Sequence, residues 1–269
     1  MLIDSHCHLN DDTFSGDSGD VLRRAAEQGV TDVVVPGYDL TSSRRAVAML
    51  ASMGRGPVRL HAAVGVHPHE ARGFGRQEEA EVRTLARHPG VVAIGETGLD
   101  FHYDHSPRAA QVDAFRRHLA LGAELGLPVI VHSREAEAET LEILQASGVG
   151  ATGGPRVVLH CFMGSLPYAT RALELGCFLS VAGPITFRKL DGLRAVVASV
   201  PMDRLMVETD SPYLTPEPNR GRRNEPARVA DVARKLAEIR GLSLGEVARS
   251  TTEVARVFFR LDPSAGARD

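Results

Sequence analysis

The stretch VVAIGE at residues 91–96 is an almost continuous apolar run that ends in a carboxylate, Glu96. Apolar, β-branched runs without polar alternation are typical of strands that are buried on both faces of a parallel sheet. The same pattern recurs in LID at 2–4, DVVVP at 32–36, LHAAVGVHP at 60–68, PVIVH at 128–132, RVVLHCF at 156–162, CFLSVAG at 177–183 and RLMVETD at 204–210. The sequence therefore predicts eight strands.

Segments with helical periodicity lie between most of these runs. Within residues 106–126, for example, Val112, Phe115 and Leu119 fall on one stripe of a helix. Strands that alternate with helices over a chain of 269 residues predict an α/β fold, a (β/α)8 TIM barrel, with residues 1–269 as one domain. A doubly wound open sheet is the alternative, but no GxGxxG motif follows the first strand.

The composition indicates the cellular setting. No run approaches the roughly 18 apolar residues that a membrane span requires, and the first residues do not form a basic and apolar leader. Cys7, Cys161 and Cys177 form no CxxC pair, which argues against a disulfide framework or a thiolate zinc site. We expect a cytoplasmic protein with reduced thiols, no membrane association and no obligate protein partner. A net charge of −3 argues against broad electrostatic adhesion to nucleic acid.

The ends of the predicted strands carry many side chains of the types that bind metals. In a barrel of this kind, the chemistry takes place where strands end and the following loops begin. These positions hold His6 and His8, His67 and His69, Glu96, His132, His160 and Asp210. A single histidine or carboxylate at a strand end is more often a structural residue. Structural explanations would have to coincide at six strand ends, so the pattern favours a metal centre.

The spacing and chemistry of these residues make the prediction more specific. His6 and His8 are two residues apart, so on a strand they face the same side while Cys7 faces away. Imidazole and carboxylate groups bind Zn, Mn or Co, and carboxylates with water also admit Mg. Such a set exceeds the three protein ligands of a typical mononuclear catalytic zinc. We therefore expect two divalent ions, which can clamp a phosphoryl group and generate a hydroxide near neutral pH.

Several longer motifs resemble those of the TatD-type metal-dependent deoxyribonucleases of the amidohydrolase superfamily. They are DSHCHL, GVHPHE, GETGLDF, VHSREA, LHCFMGS, SVAGPITF and ETDSPYLTPEPNRGRRNEP, and together they extend over most of the chain. The resemblance implies a TIM barrel that hydrolyses phosphodiester bonds of DNA in the 3′ to 5′ direction with two metal ions. It also implies a ligand set of His6, His8, Glu96 and Asp210 for one ion and Glu96, His132 and His160 for the other, with Glu96 as the bridge.

Asp210 and Glu96 are the predicted catalytic residues. A carboxylate beside a metal-bound water is well placed to take its proton, which makes Asp210 the candidate general base. His67 and Arg134 lie just past strand ends, where each could hold a phosphate oxygen or form a structural ion pair. Arg222, in the Pro-rich loop after Asp210, is the third predicted substrate contact because a guanidinium fork suits phosphate.

Other residues near these motifs have more than one interpretation. Tyr213 could stack on a base of a single strand, although core packing is the commoner role. Glu208 shares a strand face with Asp210 and is expected to support a ligand. Strand alternation should direct Cys161 away from His160 and into the core. The loop after Glu96 contains two further candidates, Asp100 and His102, either of which could approach the site.

Two other functions remain open at this stage. A hydrolase of the same superfamily could use the same ligands on an amide or ester, such as an aminoacyl bond. Many such relatives bridge their ions with a carboxylated lysine at a strand end, and neither Lys189 nor Lys235 occupies one. A non-catalytic metal-binding scaffold is the third hypothesis, and the complete carboxylate set argues against it.

Overall fold

Eight parallel strands form the centre of the molecule. The computed structural model describes residues 1–53 and 56–261, so residues 262–269 of the predicted domain lie outside it. Each strand pairs in parallel with the next along the chain, in the order β1 to β8. The strands are β1 Leu2–Asp4, β2 Val30–Pro36, β3 Arg59–Val64, β4 Val91–Asp100, β5 Val129–Arg134, β6 Val157–Leu159, β7 Phe178–Val181 and β8 Leu205–Val207. The predicted TIM barrel is confirmed, and sequential pairing excludes the doubly wound sheet.

Helices follow the strands and cover the outside of the barrel. They are α1 Ser18–Glu27, α2 Leu40–Met53, α3 Arg76–Leu85, α4 Arg108–Leu125, α5 Glu137–Ala146, α6 Leu166–Glu174, α7 Asp191–Ser199, α8 Val229–Arg240 and α9 Leu244–Phe259. Among the described residues, no helix is both long enough and apolar enough to cross a membrane.

The core has two layers because the strands are buried on both faces. The larger layer lies between the sheet and the surrounding helices. The smaller one contains alternate strand residues, among them Ile3, Val34 and Ile130, together with Phe258 and Phe259 of α9. Since residues two apart on a strand share a face, this second layer fills the barrel interior, and α9 closes its amino-terminal end. The carboxyl ends of the strands are left for the polar residues.

A buried histidine connects α4 to the end of β3. The Val66 N–H donates to Nε2 of His118 over 3.1 Å, so the proton lies on Nδ1, which donates to the Ala114 carbonyl over 2.7 Å. The His118 ring also stacks on Phe74, with ring centres 4.4 Å apart. Burial lowers the pKa of His118 to about 4. This contact anchors the segment that leads into His67.

We expect His118 to make the fold sensitive to acid. Its folded pKa of about 4 lies below the usual value for histidine, so the unfolded chain binds the proton first as the pH falls. The resulting loss of unfolding free energy, which accumulates below about pH 6.5, is about 2 kcal/mol at pH 5 relative to pH 8. Urea unfolding at both pH values should show this loss in the wild type, reduced in His118→Gln. The exposed-site control His88→Gln should behave as the wild type, and equal pH dependence in all three proteins would contradict the assignment.

Candidate metal centre

The structure brings the six residues predicted as ligands together at the carboxyl ends of the strands. Glu96 and His132 lie within β4 and β5, whereas the others follow the ends of β1, β6 and β8. Their side chains range from fully buried to about one-fifth exposed. Donor atoms of His6, His8 and Glu96 lie within 4.8 Å of one another, as do those of His67, Glu96 and His132.

His6, His8, Glu96 and Asp210 form what we call the first donor group. The two Nε2 atoms of His6 and His8 are 3.2 Å apart. Oε2 of Glu96 lies 3.4 Å from His6 Nε2 and 3.6 Å from His8 Nε2. Oδ1 of Asp210 lies 3.5 Å from His8 Nε2 and 3.8 Å from His6 Nε2. Ligands at about 2.1 Å from one tetrahedral ion lie about 3.4 Å from each other, so the group fits a divalent cation.

His67, Glu96, His132 and His160 form the second donor group. All three imidazoles face Oε1 of Glu96, the oxygen that points away from the first donor group. His160 Nε2 is 2.8 Å from this oxygen, His132 Nδ1 is 3.2 Å away and His67 Nε2 is 3.4 Å away. The two oxygens of Glu96 thus face two separate sets of nitrogen donors. Three imidazoles around a carboxylate are a suitable donor set for a second transition-metal ion.

Local backbone structure explains how these side chains converge. Cys7 lies between two histidines, its N–H donates to the Val34 carbonyl over 3.0 Å, and its side chain is buried in the core. The prediction that Cys7 faces away from the site is confirmed. Gly95 has a φ of 133°, and a Cβ there would lie 2.7 Å from the Ile130 carbonyl oxygen. Only glycine can therefore precede Glu96 in this conformation.

Burial and the opposing charges set the protonation states. Burial alone would raise the pKa of Glu96, but the histidines of the second donor group hold it well below its usual range. Burial alone would also raise the pKa of Asp210, and the hydrogen bond from His8 and the charge of His6 lower it. Burial lowers the pKa of His67 well below its usual value. The two carboxylates are ionised and His67 is neutral, which are the forms that bind metal ions.

Glu208 supports His160, as its position suggested. Its Oε1 lies 3.3 Å from His160 Nδ1 and accepts the Cys161 N–H over 2.7 Å, while its Oε2 accepts the Ser180 hydroxyl. A carboxylate oxygen of Glu208 and ring nitrogens of His6 and His160 also lie within 4.8 Å of one another. Because Cys161 and Ser180 already donate hydrogen bonds to the two Glu208 oxygens, we infer that Glu208 orients the His160 ring.

Asp100, rather than His102, reaches the site. The prediction of a loop directly after Glu96 is wrong, because β4 continues to Asp100. Its buried Oδ2 lies 3.1 Å from His132 Nε2 and 3.0 Å from His69 Nε2. His102 points instead to Glu135 on the exposed surface, with 2.6 Å between Nδ1 and Oε1. Asp100 thus orients His132 from the ring nitrogen opposite Glu96. Sequence reasoning did not connect His69 with Asp100, because the pair joins the segment after β3 to the end of β4.

Two residues expected in the core lie elsewhere. The expectation for Cys161 is wrong: its backbone has a φ of 43°, its side chain is only partly buried, and it belongs to neither layer of the core. The left-handed backbone after β6 breaks the strand alternation on which the prediction relied. The prediction of core packing is also wrong for Tyr213. This residue is 53% exposed, and its ring centre lies 6.0 Å from that of His8.

The predicted substrate residues occupy different positions. His67 lies inside the second donor group, whereas Arg134 ends β5 on the exposed surface, with its guanidinium 4.7 Å from the centre of the Tyr103 ring. Arg222 is exposed in the loop after Asp210. The neighbouring arginines of this loop have structural contacts: Arg223 pairs with Asp17, and Arg220 covers the Phe187 ring at 3.6 Å.

A TIM barrel whose histidines and carboxylates converge at the carboxyl ends of its strands has the site position and the ligand types of a metal-dependent enzyme. A family model described as "TatD related DNase" matches residues 3–260. The chain belongs to this TatD family of metal-dependent hydrolases.

Individual relatives agree over almost the whole chain. YabD of Bacillus subtilis, named an uncharacterized metal-dependent hydrolase, is 40% identical over 262 residues, which cover 97% of this chain and 100% of YabD. The Edwardsiella piscicida protein named 3′-5′ ssDNA/RNA exonuclease TatD is 36% identical, with 97% and 100% covered. The crystal structure of YjjV, a TatD homologue from Escherichia coli, superposes with a TM-score of 0.89 at 31% identity, covering 97% of this chain and 98% of YjjV.

Proposed function

We propose that this protein is a 3′ to 5′ exodeoxyribonuclease that hydrolyses phosphodiester bonds of DNA with two divalent metal ions. The observation that carries the proposal is the position of Glu96, whose Oε2 faces His6 and His8 while its Oε1 faces His160, His132 and His67. The 36% identity to a relative named as an ssDNA/RNA exonuclease supports the choice of substrate.

The two donor groups divide the proposed ligands. His6, His8, Glu96 and Asp210 would hold one ion, and Glu96, His132 and His160 the other, with Zn, Mn and Mg as the candidates. His67 lies close enough to contact either the second ion or a phosphate oxygen. Paired ions at such a centre supply a nucleophile near neutral pH and neutralise charge on the phosphoryl group.

The residues of the chain then orient the substrate and move the proton. Asp210 is ionised, since the hydrogen bond from His8 and the charge of His6 lower its pKa, and its carboxylate would accept the proton of the attacking water. Arg134 and Arg222 would hold phosphate oxygens further along the strand. The charge-assisted hydrogen bonds of a guanidinium to phosphate suit this task.

An exposed aromatic side chain near the metal centre favours unpaired nucleic acid. Tyr213 is 53% exposed with its ring centre 6.0 Å from that of His8, whereas the ring of Tyr103 already contacts the Arg134 guanidinium and stacks on His105. Large aromatic faces that remain exposed beside a polar centre can stack on bases that are not paired. This arrangement supports a single strand or a frayed 3′ end as the substrate.

Replacing Tyr213 with alanine is expected to weaken the binding of single-stranded DNA by on the order of 10- to 100-fold, since base stacking contributes about 1–3 kcal/mol per base. Tyr213→Phe keeps the ring and is expected to bind like the wild type. Fluorescence anisotropy of a labelled oligonucleotide with metal-depleted protein gives both affinities. Equal binding by the alanine and phenylalanine variants would show that the ring has no role in stacking.

The activity itself can be tested with the full chain after metal depletion. End-labelled single-stranded DNA, RNA and an aminoacyl ester are incubated with the protein while Mg²⁺, Mn²⁺ or Zn²⁺ is added in turn. We expect mononucleotides to be released from the 3′ end of DNA, and release to stop in His6→Ala. Cleavage of the ester alone would favour the amide or ester hydrolase. Ion binding without cleavage of any substrate would favour the non-catalytic scaffold.

A further inference from the structure

The barrel closes differently at the junction of β8 and β1 than elsewhere. Among the described residues, the sheet contains ladders between successive strands from β1 to β8, whereas β1 and β8 are connected beyond their ends by an isolated bridge between Cys7 and Ser211. The first donor group straddles this junction, because His6 and His8 follow β1 while Asp210 follows β8. Backbone hydrogen bonds do cross the junction, from the Ser5 N–H to the Val207 carbonyl over 3.2 Å, from the Asp210 N–H to the His6 carbonyl over 2.9 Å and from the His8 N–H to the Ser211 carbonyl over 2.8 Å. Because these bonds do not form a regular ladder, we expect side-chain contacts across the junction to help fix the distance between the two halves of the group.

A buried carboxylate spans the junction. Asp4, at the end of β1, is fully buried. Its Oδ1 accepts the Thr209 N–H over 2.8 Å, and its Oδ2 accepts the Thr209 hydroxyl over 2.6 Å. Oδ1 also lies 3.4 Å from the His6 N–H. One side chain thus contacts the backbone of the first histidine and the residue that immediately precedes Asp210.

The Thr209 hydroxyl extends this connection to the second histidine. Its Oγ1 accepts the Ser211 hydroxyl over 2.7 Å and the Ser211 N–H over 3.2 Å. The Ser211 carbonyl in turn accepts the His8 N–H over 2.8 Å. Thr209 therefore connects Asp4 to both flanks of Asp210 and, through Ser211, to His8. All of these residues except Asp210 are buried, so water cannot readily replace a lost bond.

The second donor group depends on this junction less than the first, since its contact with the end of β8 is that of His160 with Glu208. Glu96 and His132 lie on β4 and β5, whose ladder runs from Ile94 to Asp100, and His160 directly follows β6, which pairs with β5. Backbone ladders hold these strands together, with one irregularity of register between Ile94 and Thr97. Loss of the contacts between β8 and β1 should consequently disturb the first donor group more than the nitrogen donors of the second.

We propose that Asp4 and Thr209 are positioning residues that set the geometry of the first donor group across the β8–β1 junction. The proposal rests on the two-ion function proposed above and deepens it. Removing the hydroxyl of Thr209 leaves Oδ2 of Asp4 without that donor and Ser211 without its acceptor. Residues that support metal ligands in this way typically contribute 10- to 100-fold in metal affinity.

The test compares Thr209→Val with Thr209→Ser in the metal-depleted full chain, using Mn²⁺ alone as the probe in calorimetric titrations. We expect the wild type to bind two ions, and the valine variant to bind one of them roughly 10- to 100-fold more weakly. The serine variant restores the hydroxyl and should bind both ions like the wild type. Thr251→Val is the matched control, because it removes a buried threonine hydroxyl bonded to the Val247 carbonyl on α9.

The outcomes separate this proposal from the function on which it rests. Wild-type affinities for both ions in Thr209→Val, or equal weakening in Thr251→Val, would overturn the positioning role while leaving the nuclease intact. A wild-type protein that binds only one ion would overturn the two-ion function, and the positioning proposal with it. Thermal unfolding of each metal-depleted variant verifies that the fold is retained. If Thr209→Val does not fold, Asp4→Asn can replace it, because it removes one acceptor oxygen at the same junction. We expect Asp4→Asn to weaken the binding of the same ion.

Discussion

Replacing Glu96 with glutamine is expected to weaken the binding of both metal ions and to reduce nuclease turnover strongly. The carboxylate presents Oε2 to His6 and Oε1 to His160, at 3.4 Å and 2.8 Å. Glutamine keeps the size of the side chain but removes the negative charge and replaces one oxygen by an amide that cannot bind a cation. Since even residues that merely support ligands contribute roughly 10- to 100-fold, we expect the affinity for at least one ion to fall by more than about 100-fold.

Turnover in Glu96→Gln should fall by at least about 1,000-fold, because loss of one electrostatic contact at a transition state already costs roughly 100- to 1,000-fold. Calorimetric titration with Mn²⁺ and cleavage of end-labelled single-stranded DNA measure the two effects. Glu253→Gln, on the exposed surface of α9, is the control and should match the wild type. Retention of two tightly bound ions by Glu96→Gln would rule out a bridging carboxylate.

Much of the fold could be predicted because its determinants are local and repeated. Both faces of each strand are buried, so runs such as VVAIGE are apolar throughout and can be recognised without knowing their partners. The convergence of the metal-binding side chains followed from one further rule, that the carboxyl ends of the strands meet on one face of a barrel. The rule brings Glu96, His132 and Asp210 together, although β4 and β5 continue beyond Glu96 and His132, which were expected at the strand ends.

Outside helices and strands, the residue periodicity on which the sequence predictions relied no longer applies. The prediction for Cys161 assumed strand alternation, but β6 ends at Leu159 and Cys161 has a left-handed backbone with φ 43°. Tyr213 follows a second such residue, Asp210, with φ 56°, and its neighbours in the loop gave no periodicity from which to infer exposure. Contacts between segments distant in sequence, such as that of Asp100 at the end of β4 with His69, depend on the closed barrel and have no signature in sequence spacing.

Replacing Asp210 with asparagine is expected to separate catalysis from binding. Asparagine preserves the shape of the side chain and one neutral oxygen near His8 and His6, but it cannot accept a proton from water. If Asp210 is the general base, turnover should fall by roughly 100- to 10,000-fold. The affinity for single-stranded DNA should change little, because the proposed contacts to bases and phosphates belong to Tyr213 and Arg222. Single-turnover cleavage at saturating Mn²⁺ and anisotropy of labelled DNA measure the two quantities.

The saturating metal concentration is needed because Asp210 also belongs to the first donor group, with Oδ1 3.5 Å from His8 Nε2. A variant that had merely lost an ion would recover turnover as Mn²⁺ is raised, whereas a variant without its base would stay slow with both ions bound. Asp191→Asn, at an exposed carboxylate that pairs with Arg194, is the control and should cleave at the wild-type rate. Unchanged turnover in Asp210→Asn, or its full recovery with added Mn²⁺, would assign the proton transfer to another group and leave Asp210 as a ligand alone.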